Sequence, residues 1–314
     1  MNIVHLTTAN SQSCAVPESV HLLHCKKLLA QIDYYLKALR SERKSPNTIY
    51  IYKHTLYRFA KFINHDDVTP SDVRDYIISL MDAGLKPHSV HVHYRNLKTF
   101  FNWLVVDGVL TDNPMKNIRP PKLPKLVIKP FTRQDIDNIL LICSGPQFIN
   151  IRNMAIVLIL LDTGIRLLEL ANLKLSDINN SGDILTVYGK GSKERRVPLG
   201  LRAQRALNKY LMLRGDEGSA LWLTESRTPL TRNGMHKNIV RLIKRAGIKD
   251  KKLGPHTFRH TAAISFIRNG GNVYVLQEML GHASQEMTRK YCSSIGIDDV
   301  VEAHKRFSPV DNLK

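Results

Sequence analysis

Cysteine is scarce in this chain of 314 residues, and Cys14, Cys25, Cys143 and Cys292 are scattered along it. No CxxC pair or disulfide-like spacing links them, which excludes a disulfide scaffold and points to a cytoplasmic protein. Long apolar runs are missing too. The longest, "MAIVLILL" (154–161), falls well short of the ~18 residues of a membrane span and reads as a buried helix. The opening residues, "MNIVHLTTANSQSC", have neither the basic start nor the apolar stretch of a secretory signal. No internal repeat or low-complexity tract is present. Among the 13 histidines, "HLLHC" (21–25) and "HVH" (91–93) come nearest to a metal site. Neither has a partner cluster of zinc-site form, so no metal and no cofactor is expected. Acid is in short supply: 46 Lys and Arg stand against 27 Asp and Glu, for a net charge of +19 and a pI of 9.8. That surplus calls for a polyanionic partner, nucleic acid first. An anionic membrane surface would need a basic amphipathic helix or a lipid signal, and neither is found. A basic surface kept for solubility is the plain alternative.

What is present falls into two parts. Four helical segments fill residues 20–118. In "PESVHLLHCKKLLAQIDYYLKALRS", Leu22, Leu29, Ile32 and Leu36 recur at helical spacing. Ser45 caps and Pro46 opens the next segment; Thr69 and Pro70 repeat the arrangement, and Gly84 stops the third. "KPHSVHVHYRNLKTFFNWLVVDG" is the fourth, ending at Gly108. Residues 119–130 form a linker with Pro120, Pro121, Pro124 and Pro130, no acid, and Lys122, Lys125 and Lys129 available to a phosphate backbone. A solvated linker has the same composition.

The second part, 131–314, opens with a capping pair, Thr132 and Asp135. Helical "NMAIVLILLDTG" and "RLLELANL" follow. Two β-rich runs flanking "GKGSKE" then predict a hairpin, and six more helical segments come after it, the last "DDVVEAHKRF". The expected fold is mainly α (α+β): a four-helix module, then a mostly helical domain with a small antiparallel sheet.

Four short motifs in this part gather the polar residues. "TGIRLLEL" places Arg166 at the start of a helix that Thr163 is expected to cap. "YGKGSKERRVPL" puts Lys190 on the hairpin turn between two glycines. "GPHTFRH" sets His256 and Arg259 three apart, on one helical face. "LGH" presents His282, and Tyr291 follows nine residues later. Each is weak by itself. A lone arginine is a surface charge, Lys190 a soluble turn, Tyr291 a packing aromatic, and His260 a hydrogen-bonded structural histidine.

The ordered set Arg166, Lys190, His256–Arg259, His282 and Tyr291 resembles the tyrosine recombinase (phage integrase) family, nearest to Xer-type recombinases and the integrases of mobile elements. The catalytic likeness spans about 131–300, with every signature position filled. The module at 20–118 is similar to that family's SAM-like core-binding domain in size and helix order. Leu168 departs from it, since the family often has a small residue two after the arginine.

The resemblance implies that Tyr291 attacks a DNA phosphodiester, forming a 3′-phosphotyrosyl bond and releasing a 5′-hydroxyl. Arg166 and Arg259 would clamp the non-bridging oxygens, and Lys190 would protonate the leaving oxygen. His256 would take the phenol proton, His282 would hydrogen-bond phosphate or phenol, and Glu169 would be a structural support. The implied partner is double-stranded DNA with inverted core-binding half-sites, bound by a homotetramer, in integration, excision or resolution. The C-terminal segment 295–314, with Val300, Val301 and Phe307, would dock on a neighbouring subunit or fold back on its own core. The alternatives are a type IB topoisomerase-like enzyme, a DNA-binding regulator on an inactive recombinase scaffold, and a metal-dependent transposase.

Overall fold

The computed structural model describes residues 25–124, 129–189, 194–216, 218–249, 253–281, 288, 291, 296–308, 310 and 311. The chain divides into two compact units, Met1–Leu126 and Val127–Lys314.

Among the described residues, the first unit holds four helices: α1 (Lys26–Ser41), α2 (Pro46–Ile63), α3 (Pro70–Asp82) and α4 (Pro87–Val106). Their starts follow from local chemistry. Ser45 Oγ accepts from the Thr48 amide, Thr69 and Asp72 form a reciprocal capping box, and proline stands first in α2, α3 and α4, where no helical partner is needed for its missing N–H. In α1 the deepest positions are Leu28, Ile32, Tyr35, Leu36 and Leu39; the expected Leu29 is half-buried, and Leu22 lies outside the described residues. The core is aromatic. Tyr35 meets Phe100 at 5.4 Å and Phe59 meets Tyr76 edge-on at 5.1 Å between ring centres. Two buried polar pairs sit in it: Tyr76 with His93 Nδ1 at 2.9 Å, and Asn96 donating to Thr55 Oγ1 at 3.0 Å.

The second unit begins with α5 (Arg133–Ile142), whose start is the expected capping box of Thr132 and Asp135. Helix α6 (Phe148–Thr163) carries apolar side chains on all sides and is the central helix, packed against α8 and α10. Then come α7 (Leu167–Ala171), a 3₁₀ turn (Leu175–Asp177), β1 (Ile184–Tyr188), β2 (Glu194–Pro198), α8 (Leu201–Arg214), α9 (Arg232–Arg245), α10 (Pro255–Arg268), α11 (Val273–Leu280) and α12 (Ile297–Phe307). The strands pair antiparallel from Ile184–Pro198 to Tyr188–Glu194, which aligns Val187 with Arg195. Leu185, Val187 and Val197 bury their side chains beneath the hairpin. At the entry to the unit, the Phe131 amide donates to Thr261 Oγ1 at 2.9 Å and the Phe131 ring meets Phe258 edge-on, fixing this segment on α10.

Candidate active site

Two sharp turns build the site. Helix α6 ends at Gly164 and α11 ends at Gly281, both in the left-handed region with φ +60° and +61°. A side chain at Gly164 would collide with Leu280, its Cβ coming within 2.8 Å of Leu280 Cδ2, so the two turns approach each other through a glycine.

Thr163 does not cap α7, contrary to the sequence expectation. It is the last residue of α6; its hydroxyl donates to the Ile159 carbonyl and accepts from the Ile165 amide. The left-handed turn at Gly164 carries the chain past it, and Arg166 becomes the N-cap residue of α7. Glu169 performs the capping instead, its Oε2 accepting from the Arg166 amide at 3.0 Å.

The end of α11 organises the rest. The last carbonyls of a helix have no partner within it and carry the negative end of the helix dipole. Here three consecutive ones are taken by three arginines from three different segments. Arg195 Nε of β2 donates to the Met279 carbonyl at 3.1 Å. Arg259 Nη2 of α10 donates to the Leu280 carbonyl at 2.8 Å, and its Nη1 to Gly164 at 2.7 Å. Arg166 Nη2 donates to the Gly281 carbonyl at 3.0 Å.

Glu169 completes the frame from a side chain only 4% exposed. Its Oε1 accepts from Arg166 Nη1 at 2.9 Å, and its two oxygens accept the Arg195 fork at 2.9 and 2.8 Å. Burial pushes its carboxyl up, but the bond and charge of Arg195, with the backbone and side-chain bonds from Arg166, outweigh this and hold it below the usual range. Arg259 is 5% exposed, and burial together with the nearby Arg166 charge lowers its pKa to about 10, so it remains a cation at neutral pH. Three guanidinium groups thus cluster around one carboxylate, an excess of positive charge that calls for an anion. Arg166, about a third exposed, is the one open to solvent.

Tyr291 lies beside this cluster. It is buried with Ala263, Ile264, Leu276 and Leu280, and its ring centre is 5.5 Å from that of His260. His260 lies in turn 6.5 Å from His256. His256 and Arg259 stand three apart on α10 as expected; His256 is exposed in its first turn and Arg259 is buried. Lys190, His282 and Lys125 lie outside the described residues. Thr288 and Tyr291 are both helical, and most of the expected segment "SQEMTRKYC" is outside them as well; Lys122 and Lys129 are exposed. The structure therefore brings together Arg166, Arg259, Tyr291 and Glu169. It adds Arg195, which the motif reading passed over. A signal for it exists: in "ERRVP", Arg195 alternates with Val197 on the inward side of the strand, where a charge needs a partner.

Comparison with known proteins gives a consistent result. The phage integrase family model matches residues 129–295, and the phage integrase N-terminal SAM-like domain matches residues 32–109. Tyrosine recombinase XerD of Listeria monocytogenes serovar 1/2a is 32% identical over 298 residues, covering 88% of this chain and 98% of that protein. Among solved structures, a lambda integrase dimer bound to a COC′ core site has a TM-score of 0.71 at 21% identity, covering 85% of this chain and 77% of that one. XerH site-specific recombinase bound to palindromic difH substrate, a post-cleavage complex, has a TM-score of 0.70 at 20% identity, covering 90% and 85%. The chain belongs to the phage integrase family of tyrosine recombinases.

Proposed function

We propose that this protein is a site-specific DNA recombinase that cuts and rejoins strands through a covalent bond to Tyr291. The observation that carries the reading is the convergence of Arg166 and Arg259 on the end of α11, with Tyr291 packed alongside. Two guanidinium groups held by fixed acceptors, Arg259 by two backbone carbonyls and Arg166 by one carbonyl and Glu169, are preorganised donors. Each has used two of its N–H groups and retains others for a phosphate.

The chemistry then runs in two balanced steps. The Tyr291 oxygen attacks phosphorus, its proton passes to a base for which His256 is the candidate, and the bond to the 5′-oxygen breaks. Lys190 supplies the proton to that leaving oxygen. The 3′-phosphotyrosyl ester keeps the energy of the broken bond, so a 5′-hydroxyl from another strand can reverse the reaction without ATP. Arg166 and Arg259 stabilise the charge building on the non-bridging oxygens, where a dry, fixed site is worth most. A phenol of pKa about 10 ionises more readily beside such positive charge. His282 is the candidate for a further hydrogen bond to the phosphate or the phenol.

The partner in this reading is double-stranded DNA with inverted core-binding half-sites, acted on in the cytoplasm. The excess of base fits a phosphate backbone. Along α9, Arg232, His236, Lys237, Arg241, Lys244 and Arg245 form an exposed basic face for it, and Lys122, Lys125 and Lys129 of the linker are separate candidates for phosphate contacts. Exchange between two duplexes breaks four strands, and one tyrosine per chain sets four chains in the synaptic complex. The domains in this account are 20–118 for clamping DNA, the linker 119–130 and 131–314 for catalysis. Helix α12 is its oligomerisation element, with Val300, Val301 and Phe307 exposed. On its own protomer, α12 is tied by the Arg268–Asp299 ion pair at 3.1 Å.

Strand exchange tests the assignment. A plasmid carrying two copies of a site selected from a random duplex pool should yield recombinant products with the flanking markers exchanged. Relaxation of supercoiled plasmid without any exchange would replace this reading with a topoisomerase.

A further inference from the structure

Arg195 is a charged side chain at an inward position of a strand, next to Val197 and paired across the hairpin with Val187. Its side chain is 14% exposed. An apolar residue would fill that place without the cost of removing a charge from water. What the charge does there is shown by its contacts. The fork spans both oxygens of Glu169, while Nε reaches the Met279 carbonyl. The side chain also occupies the space over Gly281, where a Cβ would come within 3.1 Å of it.

Glu169 is the carboxylate with which Arg166 pairs, and Arg166 reaches it with Nη1 while Nη2 holds the Gly281 carbonyl. Two arginines therefore share one carboxylate, and they compete for it. If Arg195 were absent, Glu169 Oε2 would keep only the Arg166 amide and would have a further lone pair to offer the Arg166 fork, whose favoured geometry with a carboxylate is bidentate. Arg166 would then be drawn off Gly281 and its existing pair with Glu169 tightened from one contact to two.

We propose that Arg195 is a positioning residue of the active site: by occupying both oxygens of Glu169 it keeps the Arg166 guanidinium, docked on Gly281, free to clamp the scissile phosphate. The proposal rests on the recombinase reading above. It makes Glu169 harmful when Arg195 is lost, an outcome that a purely structural role for Arg195 does not produce.

The test uses the full chain and measures covalent adduct formation on a nicked suicide duplex at saturating protein, with site binding and melting temperature followed in parallel. Arg195→Met should lower the cleavage rate by about 10–100-fold, the usual cost of losing a partner behind a ligating group, while site binding persists. Adding Glu169→Gln should recover much of that loss, because the neutral amide no longer sequesters Arg166. On a duplex with a methylphosphonate at the scissile position, where one charged oxygen is gone, the Arg195→Met defect should shrink. Arg195→Lys, which keeps the charge but cannot span two oxygens, should lose about 10-fold and covers the case in which the methionine variant fails to fold. Three results would overturn the proposal: cleavage at the wild-type rate by either single variant, a double variant worse than Arg195→Met, or equal defects on phosphate and methylphosphonate. A wild-type protein that forms no adduct would instead overturn the recombinase reading itself.

Discussion

Arg166 and Gly281, 115 residues apart in the chain, are joined by a hydrogen bond of 3.0 Å from guanidinium to carbonyl. This contact brings the first motif of the catalytic set to the turn that opens the last. The position of Arg166 therefore depends on the shape of that turn as well as on its own helix.

Gly281→Ala should accordingly damage the site from a distance. Its φ of +61° is costly for any residue with a Cβ, by about 1–2 kcal/mol, and the new methyl would crowd Arg195 at 3.1 Å. The expected outcome in thermal unfolding is a fall of about 2–8 °C in the melting temperature of this unit. In single-turnover cleavage, the rate constant should fall while site binding is maintained.

Glu169→Gln should destabilise the second unit by about 2 kcal/mol, since it weakens a buried acceptor shared by two arginines. The sign of the pH effect follows from a carboxyl held below its ordinary range. Its contribution is present above the unfolded pKa, roughly 4.3, and disappears as pH falls through the folded value. Denaturant titrations of both forms from pH 7 to pH 3 should show the gap between them closing below pH 4.

In the first unit, burial, with the charges of Arg58 and His54 adding to it, lowers the pKa of His93 to about 4. A histidine depressed from about 6.5 favours the folded state above pH 6.5. That contribution is lost as the pH falls from 6.5 to 4, by up to about 3 kcal/mol. His93→Gln should remove this slope from the acid unfolding of the unit; an unchanged slope would assign the acid sensitivity to other groups.

Strand cleavage should proceed in EDTA. In the proposed reaction, Arg166, Arg259 and Lys190 would supply the positive charge and the proton that a metal centre with its bound water would otherwise provide. A strict requirement for added magnesium in the cleavage step would contradict this assignment of roles.

How much was legible in the sequence depended on the range of each interaction. The caps at Ser45, Thr69 and Thr132 are satisfied within three residues, and the structure has each of them where the sequence places it. The hairpin and the order of the helices were readable for the same reason. Thr163 was misread because a capping residue and the last residue of a preceding helix look alike until the left-handed turn at Gly164 separates them. Arg195 was missed because its meaning lies in partners 26 and 84 residues away. His256 and Arg259 share α10 at the spacing the sequence shows; their depth, one exposed and one buried, depends on what packs against that helix and is not in the spacing.

The most direct test of the account is the protein–DNA adduct formed by wild type and by Tyr291→Phe on the same nicked suicide duplex, measured at equal occupancy of the site. The account predicts a covalent 3′-phosphotyrosyl adduct with wild type, mapped to Tyr291 after digestion, and none with the phenylalanine variant although it still binds the site. An adduct that persists in Tyr291→Phe would contradict it.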